Sequence, residues 1–421
     1  STRLGDRWTA SLLPPAPPRH GVNASYTDAL GHTSSSHEAW VRQFTEVLEI
    51  SAALDDRTKV IAEFWADGPR SETPPGHWNQ LAQGVSERDG HDIGADARLF
   101  LALNGALMDA GIATWNAKRV YDLVRPVSAI RHLFHGQQVQ AWGGPNQGTR
   151  VILGEHWQPY QEATFVTPPF SEFTSGHSGF SAASAAVLEG MTGSPRFYDG
   201  VSRIDRDLDG DGQPDLLGEF RAQPGYLRFE TGPAEAVVLR WPTFKDAADE
   251  AGFSRLYGGI HIQDGDLRGR EIGEQVGAAA LARVQALAAG ALPVSAGFTG
   301  VWMDPARSGE GLSLQVDDAG TVVVQWNTYD MQRRQMWLAG SAQAGADGVV
   351  RVPLVLTSGA RFGQAFNPAD VQTHNFGSLE LRFVGCDRAE ARYSSTLFGF
   401  DSGSLQLQRL FKPGSEVCGQ L

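Results

Sequence analysis

From residue 35 to residue 289 apolar side chains recur three and four positions apart, the spacing of helices with one buried face. Trp40, Phe44, Val47 and Leu48 lie on one such face, and Ser35 with Glu38 ahead of them has the form of a capping box. Further helices are predicted at Val60–Trp65, from about Pro75 in TPPGHW, over the Ala/Leu-rich run Ile93–Trp115, and over Ser178–Glu189 and Leu267–Ala289. Residues 1–34, with LLPPAPPRHG, read as an extended N-terminal segment. After GALPVSAG the pattern shifts to short alternating runs, GLSLQV, TVVVQW, LELRFV and SLQLQRL, separated by Gly, Asp and Asn. The expected fold is mainly an α-helical bundle over residues 35–293, followed by a small all-β domain over 297–421.

Length and charge narrow the function classes. The chain has 421 residues, 41% of them hydrophobic and 20% charged, and no apolar run approaches the ~18 residues of a membrane span. A net charge of −13 argues against broad attraction to nucleic acid or to an anionic membrane. Any bound anion must therefore meet positive charge concentrated locally. The two cysteines, Cys386 and Cys418, both fall in the β-region, where one disulfide in an oxidising compartment is expected. STRLGDRW shows no signal peptide, so the chain is expected to be mature, trimmed or not exported.

Three short elements carry the candidate chemistry. In TPPFSEFTSGHSGFSAASAAVL, the run Ser175-Gly176-His177 precedes small residues that read as the start of a buried helix. A helix N-terminus offers free N–H groups and the positive end of a dipole, a setting suited to an oxyanion. In WNAKRVYDLVRPVSAIR, Lys118 and Arg125 stand seven residues apart, which on a continuous helix brings them to nearly one face. In FSRLYGGIHIQDGDLRGREIG, Ser254 and Arg255 precede His261, with Gly258 and Gly259 between them marking a tight non-helical passage. Taken singly, these read equally as a helix cap, a solvated basic face and a structural histidine.

Taken in order, Lys-x6-Arg-Pro, Ser-Gly-His and Ser-Arg-x5-His resemble the signature of the superfamily that joins vanadium-dependent haloperoxidases with bacterial acid phosphatases and lipid phosphatases. The flanks FWADGPRSETPPGHWN, PPFSEFTSGHSGFSAA and SRLYGGIHIQDGDLRGREIG are similar to bacterial vanadium-dependent haloperoxidases in particular, across roughly Trp40–Ala289. Thr174 stands where that motif usually carries proline. The resemblance implies vanadate as cofactor, with Lys118, Arg125 and Arg255 neutralising its equatorial oxygens and the Ser175 hydroxyl and Gly176 N–H adding hydrogen bonds. It implies His261 as the axial vanadium ligand and His177 as the acid–base group opposite. Trp115 and Phe170 fall where the family lines its halide pocket, and they leave the halide open. The implied reaction is oxidation of halide by hydrogen peroxide to a hypohalous species that halogenates a small organic substrate, with no haem, flavin or nicotinamide. Members of the family carry more helices ahead of this point, which implies a processed chain, a homo-oligomer or a partner chain supplying further helices.

An acid phosphatase with phosphate in the same pocket and His261 as nucleophile is the main rival. A non-enzymatic rival places the active part in the β-domain, as an anion-binding or adhesive protein. That domain, with GVWMDPARSGEGLSLQ and WNTYDMQRRQMWL, resembles an accessory module of secreted bacterial proteins, implying a secreted or periplasmic location. Separately, DRDLDGDGQPD places Asp207, Asp209, Asp211 and Asp215 at the spacing of oxygen ligands in the first half of a calcium loop, with Gly212 at its turn. Gly218 occupies the position of the expected bidentate acid and Glu219 follows it, so a structural Ca²⁺ is expected beside the alternative of a solvated acidic loop.

Overall fold

The computed structural model describes residues 12–411 apart from 70, 205–206, 208–211, 290–291, 293, 318, 346 and 362. The chain forms two compact units, the first closing at Leu281 and the second opening at Ala282. The sequence texture changes later, at 293–297.

In the first unit, residues 12–24 lack regular structure yet bury Leu12, Pro14, Pro17 and Pro18. The segment expected to be extended then closes in a hairpin of β1 (Ser25–Thr27) and β2 (Thr33–Ser35). Helices α1 (Ser36–Ala52), α2 (Asp56–Phe64), α3 (Thr73–Asp89), α4 (Ile93–Tyr121), α5 (Pro126–Leu133), α6 (Gly176–Thr192), α7 (Phe244–Tyr257) and α8 (Gln263–Ala288) follow. Both halves of the Ser35/Glu38 capping box form at the start of α1. Trp40, Phe44, Val47 and Leu48 of α1 pack with Leu123, Trp157, Phe173 and Ile262 in one buried cluster. That cluster anchors the backbone on either side of two motif segments, since Phe173 precedes Ser-Gly-His and Ile262 follows His261. Two-stranded sheets β3 (Gln138–Trp142) with β4 (Thr149–Leu153), and β5 (Glu219–Ala222) with β6 (Val237–Arg240), complete the unit.

A glycine seam sets how closely α8 approaches α6. Gly265, Gly269, Gly273 and Gly277 recur every fourth residue along one face of α8. A Cβ at 269 would lie 2.8 Å from the Ser175 carbonyl oxygen, at 273 it would lie 2.3 Å from that of Gly179, and at 277 it would lie 2.5 Å from that of Ala183. The two backbones are therefore in direct contact over about two turns, and Asp266 ties them at the top by accepting the Ser178 hydroxyl at 2.7 Å. A side chain at 269, 273 or 277 pushes apart the helices that begin at the two histidine motifs, whereas one at 265 meets Glu172 instead.

The second unit is a closed antiparallel barrel of eight strands. They are β7 (Gly300–Met303), β8 (Gly311–Val316), β9 (Thr321–Tyr329), β10 (Gln335–Gln343), β11 (Val349–Ser358), β12 (Gln372–Gly385), β13 (Arg388–Ser395) and β14 (Gly403–Phe411). Each strand pairs with its neighbour in sequence, and β14 returns to pair with β7. Closure leaves no free strand edge. Trp302, Leu314, Val324, Leu338, Leu354, Leu381 and Phe383 fill the interior, with Phe298 and Phe383 stacked at 4.1 Å. Cys386 is disulfide-bonded, and Cys418 lies outside the described residues. Among the described residues no helix is long and apolar enough to cross a membrane.

The seam gives a prediction with an internal control. Alanine in a helix interior is normally favoured over glycine by about 1 kcal/mol. Gly105 of α4 has nothing within 4 Å of its missing Cβ, so Gly105→Ala is expected to stabilise by about that amount. Gly273→Ala is expected to destabilise by about 1–3 kcal/mol, because the clash with the Gly179 carbonyl exceeds the propensity gain. Urea unfolding of the two variants checks the pair, and equal shifts would show that the seam is slack.

Candidate functional site

The three motifs meet in one buried cluster, by routes that differ in part from the spacing argument. Helix α4 runs six residues past the expected end at Trp115 and places Lys118 in its last turn. It then stops, because Asp122 takes a left-handed conformation at φ 45°. Arg125 is the residue that caps α5, with Pro126 in that helix's first turn. Lys118 and Arg125 therefore converge across a chain reversal and not along one helix face. Arg255 lies in the last turn of α7, and Gly259 makes the sharp passage to His261 at φ 68°. A Cβ there would lie 2.9 Å from Pro159. Ser175 caps α6, its hydroxyl oxygen accepting the Ser178 N–H at 3.3 Å, and its own N–H donates to the Gly265 carbonyl at 2.8 Å. The helix geometry leaves the Gly176 N–H outside the intrahelical ladder. Thr174, at the position of the expected proline, is buried, and the peptide bond that precedes it is cis.

Each cation is held by neutral backbone oxygens. Lys118 Nζ donates to the carbonyls of Ser171 and Glu172, both at 2.9 Å. Arg125 donates through Nε to Phe170 O and through Nη1 to Ile260 O, both at 2.8 Å, and Nη1 also lies 3.1 Å from His261 Nε2. Arg255 Nη1 donates to Trp65 O at 2.6 Å and lies 3.4 Å from His177 Nε2. Among the described residues none of the three forms an ion pair. Arg125 Nη2 and Arg255 Nε are buried and have no hydrogen-bond partner. Burial lowers the pKa of Arg125 and of Arg255 to about 10 and drives that of Lys118 well below its usual value. Three buried cations that are not ion-paired among the described residues, two of them with an unpartnered guanidinium N–H, form a donor set suited to an oxyanion.

Both histidines are pushed towards the neutral form. Burial, reinforced by Arg255, lowers the His177 pKa to about 3. Its Nε2 lies 3.3 Å from the Ala66 carbonyl oxygen and 3.4 Å from the Arg255 Nη1 donor, two contacts that favour opposite tautomers, and in either one a neutral ring keeps one nitrogen as an acceptor. Burial with Arg125 and Lys118 nearby holds His261 well below the ordinary histidine range. Trp115 and Phe170 are 43% and 41% exposed, too open for core residues. Their rings lie 5.3 Å apart, and Lys118 Nζ is 5.6 Å and 5.3 Å from their respective centroids. Together they form an aromatic wall beside the cations.

Two carboxylates that the spacing argument passed over belong to this site. Glu172, wholly buried, contacts His261 Nδ1 at 2.6 Å. Asp67 pairs with His77 at 3.0 Å, which holds its pKa low against the cost of burial, and its charge acts on His177 and Arg255. Both acids stand in the quoted flanks PPFSEF and FWADGP, where an acid next to a cationic motif was the available signal. The acidic loop lies apart. Asp209 and Asp211 are outside the described residues, the Gly212 N–H donates to Asp207 at 2.8 Å, and Glu219 pairs with Arg240 at 2.6 Å.

Residues 98–290 match the family described as the VCPO second helical-bundle domain, a range that holds all three motifs. The vanadium chloroperoxidase of Curvularia inaequalis is 26% identical over 234 residues, 47% of this chain and 34% of that protein. The solved holo-type bacterial vanadium-dependent chloroperoxidase is 25% identical with a TM-score of 0.49, over 59% of this chain and 48% of that one. The first bacterial vanadium-dependent iodoperoxidase is 24% identical with a TM-score of 0.43, over 64% and 52%. The chain thus spans about a third of the curated relative's length and about half of these two solved chains.

The depressed His177 pKa predicts a pH dependence of stability. The unfolded chain protonates this imidazole near 6.5 and the folded chain only near 3, so between those values the unfolded state binds more protons. Stability is then lost as pH falls below 6.5, by about 2–3 kcal/mol from this group at pH 4.5. In vanadate-free buffer, His177→Gln is expected to flatten the fall in melting temperature between pH 7 and pH 4.5. Parallel curves for the two proteins would show that His177 is not held neutral.

Proposed function

With residues 98–290 matching the VCPO second helical-bundle domain, we propose that this protein is a vanadium-dependent haloperoxidase, using hydrogen peroxide to oxidise a halide to a hypohalous species. The observation that carries the reading is the set of three buried cations, none ion-paired among the described residues, with two guanidinium nitrogens unpartnered in the pocket. A vanadate anion fits that donor set in charge and shape, and the Nε2 of His261 faces the same space. When bound, vanadate supplies a Lewis acid that activates peroxide towards halide.

The chain's own residues divide the remaining work. Lys118, Arg125 and Arg255 balance the anion's charge, and Ser175 and Gly176 add hydrogen-bond donors at the mouth of α6. Neutral His177 is poised to take a proton from peroxide at its unprotonated ring nitrogen and return it to the departing oxygen. Trp115 and Phe170 line an approach for halide next to the Lys118 charge. Acid-phosphatase chemistry with His261 as nucleophile uses the same cradle. The exposed aromatic wall favours the haloperoxidase, because it offers halide an apolar face beside the Lys118 charge. The disulfide at Cys386 supports a secreted or periplasmic location.

Vanadate-loaded protein is expected to oxidise bromide or iodide with hydrogen peroxide, with added phosphate competing. His261→Ala should lose vanadate in equilibrium dialysis, and Phe170→Ala should retain it while oxidising halide about tenfold more slowly. Brisk hydrolysis of a phosphate monoester by the apo protein, with no peroxide-dependent halogenation by the loaded form, would decide for the phosphatase. The proposal extends to a structural Ca²⁺ held by Asp207, Asp209, Asp211 and Asp215. The melting temperature should fall with EGTA and recover with Ca²⁺, and an unchanged value removes the ion.

A further inference from the structure

Glu172 has two functions in one residue. Its backbone carbonyl receives Lys118 at 2.9 Å, so its position is fixed from the cation side. Its N–H donates to Leu123 O at 2.9 Å, which ties it to the link between α4 and α5. Its carboxylate then turns the other way. Oε1 contacts His261 Nδ1 at 2.6 Å and accepts the Ile262 N–H at 3.1 Å, while Oε2 is buried with no partner. The carboxylate fits only because residue 265 is glycine. A Cβ there would lie 2.0 Å from Oε1.

The other face of the imidazole fixes where its proton sits. Arg125 Nη1, 3.1 Å from His261 Nε2, is a donor that has no acceptor function, so Nε2 must present its lone pair. The ring proton is then on Nδ1, pointing at Glu172 Oε1. A neutral histidine held between a donor-only guanidinium and an accepting carboxylate has one tautomer open to it. We infer that Glu172 is a positioning residue that holds His261 as the Nδ1–H tautomer, so that the Nε2 lone pair faces the cation cradle. Substitution of such an outer partner of a ligating histidine commonly costs 10- to 100-fold in affinity for the bound metal.

The test separates this assignment from the haloperoxidase reading, on which only its vanadate arm rests. Nitrogen-15 spectra of histidine-labelled apo protein report the His261 tautomer without any cofactor. Wild type is expected to show the Nδ1–H form, and so is Glu172→Gln, whose amide oxygen still accepts. Glu172→Leu is expected to lose the preference and to weaken vanadate binding in equilibrium dialysis by at least tenfold. Gly265→Ala supplies a second route, since it displaces the carboxylate while leaving Glu172 in the chain. If Glu172→Leu does not fold, the same loss is expected in Gly265→Ala. A wild-type His261 carrying its proton on Nε2 overturns the inference. So does either disrupted variant, folded, that keeps both the Nδ1–H tautomer and wild-type vanadate affinity. Should wild type bind no vanadate while the tautomer shifts occur as expected, the haloperoxidase reading fails and the role of Glu172 stands.

Discussion

The contact between the bare backbones of α6 and α8 is the constraint on which the pocket depends. One helix begins at Ser175-Gly176-His177 and the other directly after His261, so the distance between their axes sets the distance between the two histidine motifs. Gly269, Gly273 and Gly277 allow the approach, and Gly265, one turn earlier, makes room for the carboxylate against His261. Glycine in a helix is costly in conformational entropy. Here that cost is met by a spacing that no residue with a side chain permits.

The second constraint is charge. Three cations are taken out of water and each is turned towards backbone carbonyls, which stabilise it without cancelling it. Two of them, Lys118 and Arg255, sit in the last turns of α4 and α7, where the helix dipole favours positive charge. Buried carboxylates stand behind both histidines, Glu172 at His261 and Asp67 beyond His177. The result is a pocket whose donors are already oriented before any anion arrives, the condition under which buried charge is useful for chemistry.

Much of this was legible in the sequence, and the remainder failed for identifiable reasons. Helix starts with side-chain caps, such as Ser35 and Ser175, could be read locally because the capping group lies within three residues of its partner. The ordered motifs pointed to one anion site through resemblance, and the geometry brings those residues together. The helical-face argument for Lys118 and Arg125 failed because Asp122, which no breaker signal marks, ends α4 between them. Glu172 and Asp67 were quoted in motif flanks yet passed over, since a carboxylate among cations reads as surface until its burial is known. The glycine seam was open to inspection as a four-residue repeat, but its meaning needs the neighbouring helix. Closure of the barrel was not legible, because the pairing of β14 with β7 joins the two ends of the unit.

The cationic pocket lies within a chain of net charge −13, and this opposition bears on kinetics. At a distance an approaching anion meets a repulsive field, and only inside roughly one Debye length, about 8–10 Å at physiological salt, does the local positive charge prevail. Salt screens the first interaction far more than the second, because the cradle is buried. For the proposed oxyanion, raising ionic strength is then expected to speed capture while changing residence time little, the reverse of what an open basic surface gives.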